Sequence, residues 1–313
     1  MKILDCTLRD GGFVNNFNWN IEFAKRYYQL MCGYNIPFIE LGYWGQTAKS
    51  KNRFYNLNED DVLEITGSKS KNNAVVIIDY HYCNKDVSSY PKKFATPVTM
   101  IRITSRKEDI DQALKFSEKL HNKTNIDVSF QIINCTNYSK KELEETVSKI
   151  LKYKFMYIYF ADSHGNLNLT IDYDKYKDSI DKIKYQGIGV GFHLHNHTGR
   201  ALTNFYTCKN KNIDITDTSI LGLGKGGGNL KLEDIIVNEY FIRLLEFIEF
   251  ESKHFNFSNK IYLYNLITGR LGVTDNYAKS AFQDNLSLHR FYEICSLLRG
   301  EKKDTFQKSN LIK

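Results

Sequence analysis

The sequence predicts a parallel (β/α)8 barrel of the TIM type with a short helical C-terminal extension. Three observations carry this expectation. Eight short runs rich in β-branched and aromatic residues recur over about 245 residues. Most are continuously apolar rather than alternating, which suits parallel strands buried on both faces. The stretches between them carry helical spacing. A doubly wound open sheet is the other arrangement of such units. The eight regular units, and the lack of a G-x-G-x-x-G after the first run, favour the barrel.

The predicted strands are residues 2–7, 38–44, 74–80, 98–104, 127–135, 155–162, 187–195 and 213–220. Ile110, Ala113, Leu114 and Ser117 form one helical stripe. Leu143, Val147, Ile150 and Leu151 form another, opened by a capping box of Ser139 with Glu142. Leu232, Ile235, Ile236 and Tyr240 predict one helix after the eighth strand. The third helix, at residues 84–93, has the weakest pattern. Pro37, Pro91 and Pro97 sit before or between the predicted elements, where proline is tolerated. The rhythm breaks near residue 250. The barrel is therefore expected over 1–248 and the extension over 249–313. In the extension Ala278, Ala281 and Phe282 have helical spacing, as do Phe291, Ile294, Cys295 and Leu298. Residues 301–313 are polar and expected to fray.

No run of about 18 apolar residues occurs, so no membrane span is expected. The start lacks the apolar core of a signal peptide. The six scattered cysteines show no C-x-x-C spacing and read as reduced thiols of a cytoplasmic protein. The net charge of +7 is spread among Glu and Asp, which points to a solvated basic surface rather than a nucleic-acid footprint. Such a surface would also gather an anionic substrate.

In a barrel the chemistry stands at the C-terminal strand ends. Those ends are rich in polar groups here: Arg9 and Asp10, Glu40, Asp79 and His81, Arg102, Gln131 and Asn134, Asp162 and His164, His193 and His195, and Asp217. On a strand His193 and His195 point to one face. By itself H-x-H reads equally as a core or surface histidine pair. Asp10 is the natural third ligand, and two imidazoles with one carboxylate suit Mn2+, Mg2+, Co2+ or Zn2+. Arg9 reads either as a salt-bridge partner of Asp10 or Glu40, or as a donor fork for an oxyanion. The loop from Gly222 to Asn229 has five glycines in its first seven residues. It reads as a flexible loop, as an anion cradle, or as backbone that must approach the metal closely.

Three motifs then coincide. Asp5-Cys6-Thr7-Leu8-Arg9-Asp10-Gly11 resembles the D-x-T-L-R-D-G signature of the DRE-TIM metallolyase superfamily. His193-Leu194-His195-Asn196 is similar to its H-x-H-N metal motif, and Gly222 to Asn229 to its G-x-G-x-x-x-G-N loop. The resemblance implies a divalent ion on Asp10, His193, His195 and Asn229, with Arg9 stabilising an enolate. Glu40, Arg102, Asp162 and Gly224 are expected to bind substrate. Within the superfamily the glycine loop is most like that of the 4-hydroxy-2-oxovalerate aldolases. Hydroxymethylglutaryl-CoA lyases carry a cysteine in this loop, and none lies between Cys208 and Cys295. Tyr277, in an Asn-Tyr-Ala segment, would serve as proton donor.

One departure stands out. The aldolases carry R-D-G-x-H, and this chain has Phe13 at the histidine's place. His197, His164 and His81 are the candidate replacements, with His197 taken as the acid–base residue. The expected reaction is reversible cleavage of a 4-hydroxy-2-oxo acid into pyruvate, or a similar 2-oxo acid, and an aldehyde. A Claisen-type acyl transfer from an acyl-CoA is the other enzymatic reading, and a binding protein on a retained barrel is the reading outside enzymes. The extension is too short to imply a partner dehydrogenase, and a homodimer is compatible with the sequence.

Overall fold

The computed structural model describes residues 1–47, 52–67, 73–93, 95–237, 239–257 and 259–311. Its eight strands are β1 (Lys2–Asp5), β2 (Phe38–Tyr43), β3 (Ala74–Asp79), β4 (Val98–Ser105), β5 (Asp127–Ile132), β6 (Tyr157–Ala161), β7 (Gly189–His193) and β8 (Ile215–Thr218). They pair in sequence order, all parallel, and β8 returns to β1, so the barrel is closed. Burial on both faces follows from that closure and from the outer helices.

The helices of the barrel are α1 (Ile21–Gly33), α2 (Glu59–Thr66), α3 (Ile110–Thr124), α4 (Lys140–Ile150), α5 (Leu169–Tyr185), α6 (Ala201–Asn210) and α7 (Leu232–Ile235). The predicted capping box opens α4: Ser139 Oγ accepts from Glu142 N, and the Glu142 carboxylate accepts from Ser139 N. A second box, Asn58 with Asp61, opens α2.

The third predicted helix does not form. Among the described residues, β3 leads to β4 through 3-10 turns at Tyr80–Tyr82 and Val87–Ser89. Asp86 accepts from both the amide and the hydroxyl of Ser88, so local side-chain bonds replace the helical ladder. The helix predicted across Leu232 and Tyr240 is also two pieces. α7 stops at Ile235, where the β-branched Ile236 and Val237, poor for helix propagation, follow before α8 (Glu239–Phe250).

The chain divides into two compact units, Met1–Asp234 and Ile235–Lys313. The second unit holds α8, α9 (Ile261–Leu271), α10 (Asp275–Gln283), α11 (Leu288–Leu297) and α12 (Glu301–Asp304). Its tail is not frayed up to Leu311, which is buried. Ile312 and Lys313 lie outside the described residues. All six cysteines are free thiols. Among the described residues no helix is long and apolar enough to cross a membrane.

The barrel interior is layered. Leu4, Phe38, Val75, Met100, Tyr157, Tyr159 and Ile215 join in one buried cluster. Two residues further along β2, β4 and β8, the same inward parity presents Glu40, Arg102 and Asp217, and β7 ends level with Asp217 in His193. The apolar floor thus gives way to charge toward the C-terminal strand ends.

Candidate metal centre

Asp10, His193 and His195 come together at that end, with one ligand atom from each within 4.8 Å of the others. All three are buried. Asp10 stands in the turn after β1, and the two histidines stand at and just beyond the end of β7. His193 Nδ1 donates to Asp217 Oδ2 at 2.8 Å, and His195 Nδ1 donates to the Gly228 carbonyl at 3.1 Å. Each acceptor fixes its ring as the tautomer whose Nε2 carries a lone pair. Those two Nε2 atoms face each other at 3.2 Å. Each atom points at the same place, where one cation could be shared between them.

Asn229 completes the set. Its amide nitrogen donates to Asp10 Oδ2 at 2.7 Å and to the Leu223 carbonyl at 3.0 Å. Its carbonyl oxygen is buried with no partner among the described residues. An orphaned buried acceptor beside two facing lone pairs fits a divalent ion, because such groups are otherwise costly to bury. A Cβ on Gly224 would lie 2.4 Å from Asn229 Nδ2 and 2.6 Å from Asp10 Oδ2. That position of the loop must be glycine for the backbone to pass the carboxylate.

A circuit of buried charge runs behind the ligands. Arg9 Nη1 donates to Asp10 Oδ1 and Arg9 Nε to Glu40 Oε2, each at 2.6 Å. Arg102 Nη1 donates to Glu40 Oε1 at 3.1 Å and Nη2 to Asp217 Oδ2 at 2.5 Å. Two guanidiniums thus face three carboxylates, leaving one negative charge in excess within the barrel. A divalent cation at this site would offset that excess. Burial raises the Asp10 pKa, but Arg9, the two imidazoles and the Asn229 amide outweigh it and hold the group well below the usual carboxylate range. Burial, helped by His193, drops His195 to about 4 and keeps it neutral for ligation.

Arg9 makes the salt bridges that one of its sequence readings expected, to Asp10 and to Glu40. Two of its nitrogens bind carboxylates, and the third, Nη2, is buried with no partner among the described residues. Glu40 and Arg102 were expected to bind substrate and do not stand free to do so. Both Glu40 oxygens are taken by arginines, and Arg102 is fully buried, with its guanidinium carbon 4.3 Å from the Tyr159 ring centroid. Asp162 is also turned inward: its oxygens accept from Asn166 N and Leu167 N and hold the loop after β6. Burial, opposed by those amides, raises its pKa to about 6.

Among the candidate bases, His197 stands beside the centre, its ring centroid 5.6 Å from that of His195. The ring lies against Gly165 and Gly226 and is exposed. His164 pairs with Asn137 at 3.2 Å and His81 with Asp109 at 2.9 Å. Tyr277 is not a free proton donor. It is a core residue of the second unit, its hydroxyl facing the Lys302 and Thr305 carbonyls and accepting from Gln307 N and Asn310 Nδ2. The residue whose role sequence reading missed is Asp217. Strand register gave the signal: Gly191 pairs Ile215 and Phe192 pairs Thr216, which puts His193 level with Asp217.

Fold and centre together define a parallel barrel that gathers two imidazoles and a carboxylate, with the Asn229 amide beside the carboxylate, a group that could hold a divalent cation. The chain belongs to the HMGL-like family, whose model matches residues 1–253. This is the DRE-TIM metallolyase superfamily of metal-dependent lyases, aldolases and carboxyltransferases.

Solved structures share the fold. The N-terminal domain of a proposed aldolase from Bacteroides vulgatus is 21% identical, with 95% of this chain and 97% of that one covered and a TM-score of 0.59. The HMG-CoA lyase of Bacillus subtilis is 14% identical over 84% and 97% of the two chains, with a TM-score of 0.61. The carboxyl transferase domain of Rhizobium etli pyruvate carboxylase with pyruvate is 12% identical over 95% and 56%, with a TM-score of 0.56. No curated protein sequence matches the chain.

Proposed function

We propose that this protein is a divalent-metal-dependent aldolase that cleaves or forms a 4-hydroxy-2-oxo acid, with pyruvate or a similar 2-oxo acid and an aldehyde as the two halves. The observation that carries the reading is the unpartnered Nη2 of Arg9, a buried donor fixed beside Asp10. The missing thiol in the glycine loop supports the aldolase branch over the hydroxymethylglutaryl-CoA lyases.

A divalent ion on Asp10, His193, His195 and Asn229, with Mn2+ or Mg2+ favoured, supplies Lewis acidity toward the 2-oxo acid. Arg9 offers Nη2 to the oxygen on which negative charge develops, and Glu40 and Asp10 keep the guanidinium from turning away. His197 accepts the proton of the C4 hydroxyl. The C3–C4 bond breaks, its electron pair passes to C3 and the 2-oxo group, and C4 leaves as the aldehyde carbonyl. The enolate then takes a proton at C3, returned by His197 or by water, giving the 2-oxo acid. Condensation is the same path reversed.

The test is exchange of pyruvate's methyl protons for deuterium, followed by NMR, with and without Mn2+ or Mg2+. Exchange is expected only with metal, and Asp10→Ala or His193→Ala should abolish it. Full exchange in chelated protein, or turnover that requires an acyl-CoA and releases free CoA, would replace this reading.

A further inference from the structure

We propose that Phe13, Phe17, Tyr43 and Tyr55 form an aromatic wall that holds the carbon chain of the aldehyde half, so that the enzyme selects aldehydes with a bulky apolar group. This rests on the aldolase reading above and names the substrate class of the same site.

The wall begins where the metal carboxylate ends. A 3-10 turn at Gly11–Val14 follows Asp10 directly and carries Phe13. Phe13 is 38% exposed, whereas Phe17 behind it is 5% exposed. The Phe17 ring centroid lies 5.0 Å from that of Phe13, 5.7 Å from Tyr43 and 4.9 Å from Tyr55. Tyr43 and Tyr55 are 5.2 Å apart, so the four rings pack as one cluster with Phe17 at its buried centre. Its inner end lies near Arg9, whose guanidinium carbon is 6.0 Å from the Tyr43 ring centroid. Its outer end meets the glycine loop, with Lys225 Nζ 5.8 Å from the Phe13 ring.

The backbone is distorted to keep Phe17 there. Asn16 and Phe17 are successive residues at φ 55° and 61°, a region bulky side chains rarely enter. Phe17 N donates to the Gly12 carbonyl at 2.7 Å, and a Cβ on Gly12 would lie 2.3 Å from the Phe17 ring. Such outliers persist where the surroundings over-determine them, typically at ligand clamps. Here the distortion seats a ring behind Phe13 and leaves Phe13 exposed, 6.4 Å from Tyr43, the ring nearest Arg9. Continuity with Arg9 identifies the occupant as the part of the substrate remote from its charged, oxygen-rich end.

The experiment uses the full-length, metal-loaded protein and an aldehyde series of acetaldehyde, butanal, hexanal and benzaldehyde. In wild type kcat/KM should rise along the series by about fourfold per methylene buried. Phe13→Ala should lower the hexanal-to-acetaldehyde ratio at least tenfold, and Phe13→Leu should lower it less. A flat series in wild type, or an unchanged ratio in Phe13→Ala, overturns the inference while pyruvate exchange leaves the aldolase reading standing. If exchange itself is absent, saturation-transfer NMR with benzaldehyde decides the wall separately. Saturation of the benzaldehyde ring protons by wild type but not by Phe13→Ala supports it, and equal saturation by both proteins overturns it. A self-association removed by Phe13→Ala, with selectivity unmoved, would assign the face to a second copy and also overturn it.

Discussion

Arg102 and His193 converge on a single oxygen, Asp217 Oδ2, at 2.5 and 2.8 Å. Burial raises the Asp217 pKa, but Arg102 and His193 together bring it below its ordinary value, so the oxygen is an anion that orients the imidazole. Asp217→Asn removes that charge and offers His193 an amide that can face either way. Metal affinity should fall by about 10- to 100-fold. Competition with a chromophoric chelator measures it, and an unchanged affinity would show that the shared oxygen does not tune the centre.

Arg9 holds two carboxylates with two nitrogens and keeps a third nitrogen free. Lysine carries the same charge at one point and cannot do all three. Arg9→Lys should reduce kcat for cleavage by roughly 10²- to 10³-fold. Steady-state kinetics with metal occupancy checked in parallel tests this. A kcat within a factor of three of wild type would remove Arg9 from the chemistry.

Gly224→Ala places a methyl group 2.4 Å from Asn229 Nδ2 and 2.6 Å from Asp10 Oδ2. The loop and the carboxylate cannot both keep their places. We expect metal affinity to fall by roughly tenfold or more, an effect of displaced ligands like those of lost supporting contacts. Calorimetric titration and circular dichroism together separate a displaced ligand from a general loss of fold.

Asp5 gives a pH dependence with a definite sign. Burial lifts its carboxyl from 3.8 to about 7, against the pull of Tyr27 and Thr7. Between those values the folded chain holds a proton that the unfolded chain has released. Stability from this group is full below the ordinary pKa and is lost as pH rises through about 7. Thermal unfolding of chelator-treated protein should therefore come at lower temperature at pH 8 than at pH 5. Asp5→Asn should recover roughly 5 °C at pH 8. Identical pH profiles for wild type and variant in scanning calorimetry would refute this.

The strands could be read because parallel strands buried on both faces leave unbroken apolar runs. The Asp10, His193 and His195 cluster could be read because its members stand in short local motifs. What escaped depends on pairs of residues far apart in sequence. A buried Arg102 looks like a ligand-binding arginine until Glu40 and Asp217 are brought against it by other strands. Tyr277 likewise looks available until the chain near Lys302 and Asn310 folds over its hydroxyl. The third helix failed for a local reason, since Asp86 and Ser88 bond to each other in place of a helical ladder. The left-handed backbone at Asn16 and Phe17 had no signal beyond the asparagine itself, because ring packing imposes it.

Asp10 and Asn229 are 219 residues apart in sequence, yet their side chains meet at 2.7 Å across the line where β8 closes on β1. The cation site therefore straddles the seam of the barrel. A chain that has formed seven strands carries Asp10 and the two histidines at opposite edges of an open sheet and still lacks Asn229. A cation bound by all four groups would act as a clasp between the first and last turns of the sheet. Metal capture during refolding then reports ring closure itself, the step of greatest sequence separation, rather than the earlier growth of the sheet.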